Sequence, residues 1–140
     1  MNKMRAELFV LFFTITATVL LLSVECGRPD PKLDNALDLS IANIKRLIKT
    51  RTSIIAGKGA RDEPVANDEL WVAVAYKNIG LMLQSKGIRQ HLGGDRLQRE
   101  ALENYNSALY FDNGRTSSLN IQIFYLKGML LKMMGLGEES

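Results

Sequence analysis

The sequence predicts an all-α protein: antiparallel helix hairpins stacked as a short α-solenoid behind an N-terminal signal helix. Three observations carry that expectation. Four segments repeat their apolar residues at three- and four-residue intervals, the spacing of one helix face. No segment alternates apolar and polar residues over a strand's length, and Ser53-Ile54-Ile55-Ala56, the one β-like run, is too short to build a sheet. Glycine, asparagine and proline fall between the periodic segments, where they interrupt helices.

The chain opens with Lys3 and Arg5, and Leu8 to Leu22 then contains no ionisable side chain. As a helix this stretch covers roughly 22 Å, short of the ~30 Å hydrocarbon core of a bilayer. Glu25 ends it, and Gly27-Arg28-Pro29-Asp30-Pro31 is a polar, turn-forming exit. Positive start, apolar middle and polar exit match a secretory signal peptide over residues 1–26, with Val24 and Cys26 as the small residues before a cut at Gly27. A signal anchor retained through residues 8–24 is the alternative. The expected location is therefore secreted or in the secretory-pathway lumen, or else membrane-anchored. Cys26 is the single cysteine, so no disulfide forms within one chain, and stability must come from packed helices. No Asn-x-Ser/Thr sequence occurs, so N-glycosylation is not expected.

Residues 27–67 read as a leading helix and a linker. Leu33, Leu37, Ile41, Ile44 and Ile48 lie on one face, with acidic residues early and basic residues late, as the helix dipole favours. The pattern fades around Arg51. From Ala56 onward Gly57, Gly59 and Pro64 suggest a linker, and Asn67 or Asp68 offers an N-cap for the next helix.

Residues 68–140 hold three more helices. In the first of them Val72, Tyr76, Ile79 and Leu83 form the stripe, Gly80 implies close approach of another backbone, and Gly87 is a stop. Asp95 and Gln98 resemble a capping box before the stripe Leu97, Ala101, Tyr105 and Ala108, which Asp112-Asn113-Gly114 ends. Ser117 or Ser118 can cap the last helix, where Ile121, Phe124, Gly128, Leu131 and Met134 form the stripe, with Gly135 and Gly137 closing it.

Two of these helices share a layout. Tyr76, Gly80, Leu83 and Gly87 repeat as Phe124, Gly128, Leu131 and Gly135, and between them Ala101, Tyr105 and Ala108 supply a second kind of helix. This arrangement resembles the tetratricopeptide repeat, whose first helix carries an aromatic, a small and a large residue at these offsets, and whose second helix carries Ala, an aromatic and Ala. The run from Glu100 to Leu109 is closest to the family pattern. The departures are a 48-residue interval between Gly80 and Gly128 where the family has 34, Asn113 where Pro is frequent, and Lys127 where a large apolar residue is usual. Gly80, Ala101, Ala108 and Gly128 are expected to let helices cross closely, with Tyr76, Tyr105 and Phe124 between them. On this pattern Ser140 falls inside a repeat, and Met129, Leu130, Met133 and Met134 are expected to give a self-associating surface.

The resemblance implies a non-catalytic scaffold that holds a protein or peptide partner, with Lys77, Asn78, Gln84 and Lys127 as candidate partner-binding residues. Two rival readings remain: a truncated accessory repeat region of a larger lumenal enzyme, and a small secreted helical protein on an anionic membrane surface. The net charge of +3 is too small to suggest nucleic acid, and the densest basic run, Lys45, Arg46, Lys49 and Arg51, reads as a solvated helix face. His91 is the single histidine, in a glycine-bearing loop. Asp95, Glu100 and Glu103 suit capping and solvation better than an acid–base pair, and Gly93-Gly94 is too short a phosphate loop. No enzyme activity, metal, cofactor or small-molecule substrate is expected.

Overall fold

The computed structural model describes residues 30–90 and 94–135. The expected signal segment, the loop residue His91 and the tail to Ser140 lie outside the described residues. Every regular element among the described residues is a helix: α1 (Pro31–Ala60), α2 (Ala66–Arg89), α3 (Gly94–Asp112) and α4 (Ser117–Met133).

Helix α1 starts where its chemistry directs. Asp30 accepts a hydrogen bond from the Leu33 amide at 3.1 Å, Pro31 occupies the first turn, and Asp34 follows in the same turn. Leu37, Ile41 and Ile48 are buried, and Leu33 and Ile44 pack partly against them. The helix does not fade at Arg51; it runs on to Ala60, so Gly57 and Gly59 are helical rather than linker. Each helical glycine costs about 1 kcal/mol relative to alanine. Packing of Ile55 on the core and the 2.6 Å bridge from Lys58 Nζ to Asp68 offset that cost. The actual connection is Arg61–Val65, turning through Asp62 at φ 59°.

Helix α2 begins at Ala66, and neither Asn67 nor Asp68 caps it; the N-cap is Val65, with no side-chain hydrogen bond. Asp68 instead bridges to α1, accepting from Arg51 Nη1 at 2.9 Å and from Lys58 Nζ. At the far end Lys86 meets Asp38 and Arg89 meets Asp34, both at 2.6 Å, so α1 and α2 are antiparallel. Among the described helices α1 packs against α2 alone.

Helix α3 returns antiparallel along α2. Its predicted stripe is the buried one: Leu97, Ala101, Tyr105 and Ala108 are all in the core. The Tyr105 ring lies over Gly80, where an added Cβ would sit 2.6 Å from Cε1. An aromatic ring, not a backbone, is therefore what the mid-helix glycine admits. Backbones meet instead at the hairpin's turn, where a Cβ on Gly94 would lie 2.8 Å from the Gly87 carbonyl oxygen. Helix α3 ends at Asp112, and the chain turns through Asn113 and Gly114, both with positive φ.

Helix α4 packs on α3 and α2 and runs parallel to α2: Lys77 Nζ donates to Gln122 Oε1 at 3.1 Å, and Gln84 Nε2 to the Met133 sulfur at 3.9 Å. Its N-cap is Thr116, whose amide donates to Asp112 Oδ2, rather than Ser117 or Ser118. Its phase corrects the expected stripe. Leu119, Ile123 and Leu130 are buried, whereas Ile121 and Phe124 are 69% and 60% exposed and a Cβ added at Gly128 would meet nothing within 4 Å. Phe124 therefore does not fill a space between these helices.

Candidate interaction surfaces

Helix α2 is the centre of the assembly, and it is unusually polar for its position. Asp68, Lys77, Asn78, Gln84, Ser85 and Arg89 are all buried on it. Each long charged side chain in that set meets a partner on another helix. Burial raises the Asp68 carboxyl, but the hydrogen bonds and charges of Lys58 and Arg51 outweigh it and hold the group below its ordinary value. Arg51 also stacks over the Trp71 ring, 4.9 Å from its centroid. Arg89 splits its guanidinium between Asp34 and the Ser85 hydroxyl.

The four candidate partner-binding residues are placed as follows. Lys77, Asn78 and Gln84 lie in the interior, and Lys127 is half-buried on α4. Gln84 is committed to packing: its Oε1 accepts the Tyr105 hydroxyl at 2.6 Å while its amide reaches Met133. Burial raises the Tyr105 phenol well above its usual range, so it remains a donor. The structure brings Lys77 and Gln84 together on the α4 side of α2 and sets Lys127 on the facing helix.

Burial also lowers the Lys77 ammonium from its ordinary 10.5. The sign follows directly. Between the folded and unfolded pKa values the unfolded chain holds more protons, so stability rises with pH through that interval. Lys77→Met is expected to raise the urea midpoint at pH 7, with the gap from wild type narrowing as pH climbs toward 10.5. Equal midpoints at pH 7 would show that the buried ammonium carries no such cost.

The basic run on α1 is divided by the fold. Lys45, Arg46 and Lys49 are exposed, but Arg51 is turned to Asp68 and Trp71. This weakens the case for one continuous anionic-surface patch. A cleft of about 390 Å³ opens where α2 ends and α3 begins, lined in part by Gly87, Gln90, Gly94, Asp95, Gln98 and Met133. One carboxylate and two amides do not make an acid–base pair. Among the described residues no group of three His, Cys, Asp or Glu side chains could hold a metal ion, and no helix is long and apolar enough to cross a membrane.

Among the described residues, large exposed apolar side chains gather on the outer side of α4. Ile121, Phe124, Tyr125 and Met129 stand out there, at 42–69% exposure. Sequence reading found this helix but assigned its interior to the wrong side. Leu119, Ile123, Leu126 and Leu130 have equally helical spacing, and packing selects that side. No protein-family model, no curated protein and no solved structure matches this chain.

Proposed function

We propose that the chain is a non-catalytic protein–protein interaction scaffold of the secretory pathway, its helix pairs stacked as a short solenoid like that of tetratricopeptide repeats. One observation carries this reading. The residues that α2 turns toward α1 include Trp71, and those that α4 buries against α3 and α2 are Leu119, Ile123 and Leu130. Trp71, Ala75 and Met82 precede these three by 48 residues each and are themselves buried. Helices that recur in one phase and one direction are the unit from which a quasi-linear stack is built. Such a stack offers side faces rather than a catalytic cavity. In this reading Lys77 and Gln84 join the helices, and partner contacts fall on the exposed side of α4 near Lys127. The compartment rests on the signal pattern of residues 1–26.

The test is to recover the chain from a secreting host, determine its intact mass and probe a peptide array with it. A mass beginning near Gly27 and a defined set of retained peptides are expected. A blank array with folded protein overturns the scaffold, and a retained N-terminus replaces secretion with membrane anchorage.

A further inference from the structure

Two faces of α2 define the geometry. The first, carrying Trp71, Ala75, Met82 and Lys86, lies toward α1, where Arg51 covers Trp71 and Asp38 meets Lys86. The second, carrying Tyr76, Gly80, Leu83 and Gly87, receives α3. There the Tyr105 ring fills the notch over Gly80, its hydroxyl reaches Gln84, and Tyr76 stacks on Phe111 with centroids 5.7 Å apart.

Helix α4 repeats both faces 48 residues later. The first becomes Leu119, Ile123, Leu130 and Met134, which are buried or partly buried against the helices before it. The second becomes Phe124, Gly128, Leu131 and Gly135. On this second face Phe124 is 60% exposed, and a Cβ at Gly128 would meet no atom within 4 Å. Ile121 and Tyr125, each 69% exposed, extend the apolar surface beside it. The charge on the helix has one sign: Lys127 and Lys132 are present, and Ser117–Met133 contains no acidic residue. Lys132 stands at the position where α2 has Gln84, the residue that accepts the Tyr105 hydroxyl.

We propose that this face of α4 is the docking site for an acidic amphipathic helix, one that seats an aromatic ring over Gly128 between two small residues, as α3 does over Gly80. The inference rests on the scaffold reading and specifies its partner. Charge opposes a second copy that docks through its α4 or α1. A second copy meeting this face with its own α4 would set Lys127 and Lys132 against the same lysines, and the exposed Lys45, Arg46 and Lys49 of its α1 would repel them equally. A helix with carboxylates along its flanks satisfies both lysines, and an acceptor beside its aromatic residue meets Lys132. The glycine notch favours a helix over a lipid surface, since a bilayer requires no such recess for a ring.

The chain contains a sequence of the required kind, which serves as the probe. Residues 94–112 carry Ala101, Tyr105 and Ala108, with Asp95, Glu100, Glu103 and Asp112 against Arg96 and Arg99. A labelled synthetic peptide of that sequence is titrated into the full chain and followed by fluorescence anisotropy. Saturable binding is expected, weakened about tenfold or more by Gly128→Leu in the protein, by Lys127→Glu with Lys132→Glu, or by alanine at the tyrosine of the peptide. Gly128→Leu projects into open space, so the fold is retained; circular dichroism checks this, and Phe124→Ser provides a second variant on the same face. Binding that is indifferent to Gly128→Leu places the peptide elsewhere and overturns the proposal. So does a dimer that forms without peptide and is lost in Gly128→Leu, which would make the occupant a second copy. Binding to anionic vesicles in place of the peptide overturns it in favour of a lipid surface. If the peptide array retains ligands while this peptide fails, the scaffold stands and the docking proposal falls; a blank array removes both.

Discussion

Tyr105→Ala is expected to lower the unfolding free energy by about 3–5 kcal/mol, the range for deleting a large aromatic side chain from a packed core. Tyr105 has no exposed surface, covers Gly80 and hydrogen-bonds Gln84. Its removal leaves a cavity in the α2–α3 seam and a buried amide oxygen without its donor. Small domains are stable by only about 5–15 kcal/mol in total, so the variant should lose much of its cooperative transition in a urea titration followed by circular dichroism. Tyr105→Phe separates the two contributions: it keeps the ring, removes the hydroxyl, and should cost about 1–3 kcal/mol for the unsatisfied Gln84 oxygen. A loss below about 1 kcal/mol for the alanine variant would mean that the seam collapses freely around the gap, contrary to tight packing at Gly80.

The second large effect is expected at Gly80→Val. A Cβ there would lie 2.6 and 2.7 Å from Tyr105 Cε1 and Cδ1 and 3.1 Å from Cζ. These are atoms of a buried ring, not the free end of a flexible chain, so the helices must separate. Overpacking of this kind costs about 1–3 kcal/mol, more than the few tenths that valine gains over glycine in intrinsic helix propensity. Gly128→Ala, in the same sequence position of the recurring helix, should do the opposite and stabilise by up to about 1 kcal/mol, because nothing opposes the added methyl group. Combining Gly80→Val with Tyr105→Ala provides the check. The valine occupies part of the space left by the ring, so the double variant should be less destabilised than the two single losses combined. Strict additivity would show that the two residues do not share the seam.

The α2–α3 hairpin was legible in the sequence because its signals agree. Leu97, Ala101, Tyr105 and Ala108 form one stripe, Leu102 and Leu109 border the same face, and charged and amide residues occupy most of the rest, so periodicity points to one side. Helix α4 lacks that contrast. It is apolar on most sides, and both Ile121-Phe124-Gly128-Leu131 and Leu119-Ile123-Leu126-Leu130 have helical spacing. Tertiary packing, not pattern, selected the second. The end of α1 was hidden for a different reason: Gly57 and Gly59 are local helix breakers, and the compensating contact of Lys58 with Asp68 lies across a turn. The same contact removed Asp68 from the capping role its position suggested. The polar residues of α2 looked like a surface because composition does not reveal a helix covered from several sides. Lys77, Asn78 and Gln84, candidates for partner binding by composition, are buried by the fold.

The seam between α1 and α2 is fastened near both ends, by Arg51 and Lys58 on Asp68 and by Lys86 and Arg89 on Asp38 and Asp34. Between these points the contact is aliphatic, and aliphatic side chains tolerate a shift along the axis. The charges paired on Asp68 do not. Sliding α1 by a single helical turn, about 5.4 Å, carries Arg51 and Lys58 away from Asp68 and leaves that carboxylate buried without a counter-charge, whereas Asp30, Asp34 and Asp38, spaced one turn apart, keep an acid beside Arg89. The arrangement therefore works as a vernier: the hydrophobic stripe brings the two rods together, the evenly spaced acids at one end accept several settings, and the single mark at Asp68 selects one of them.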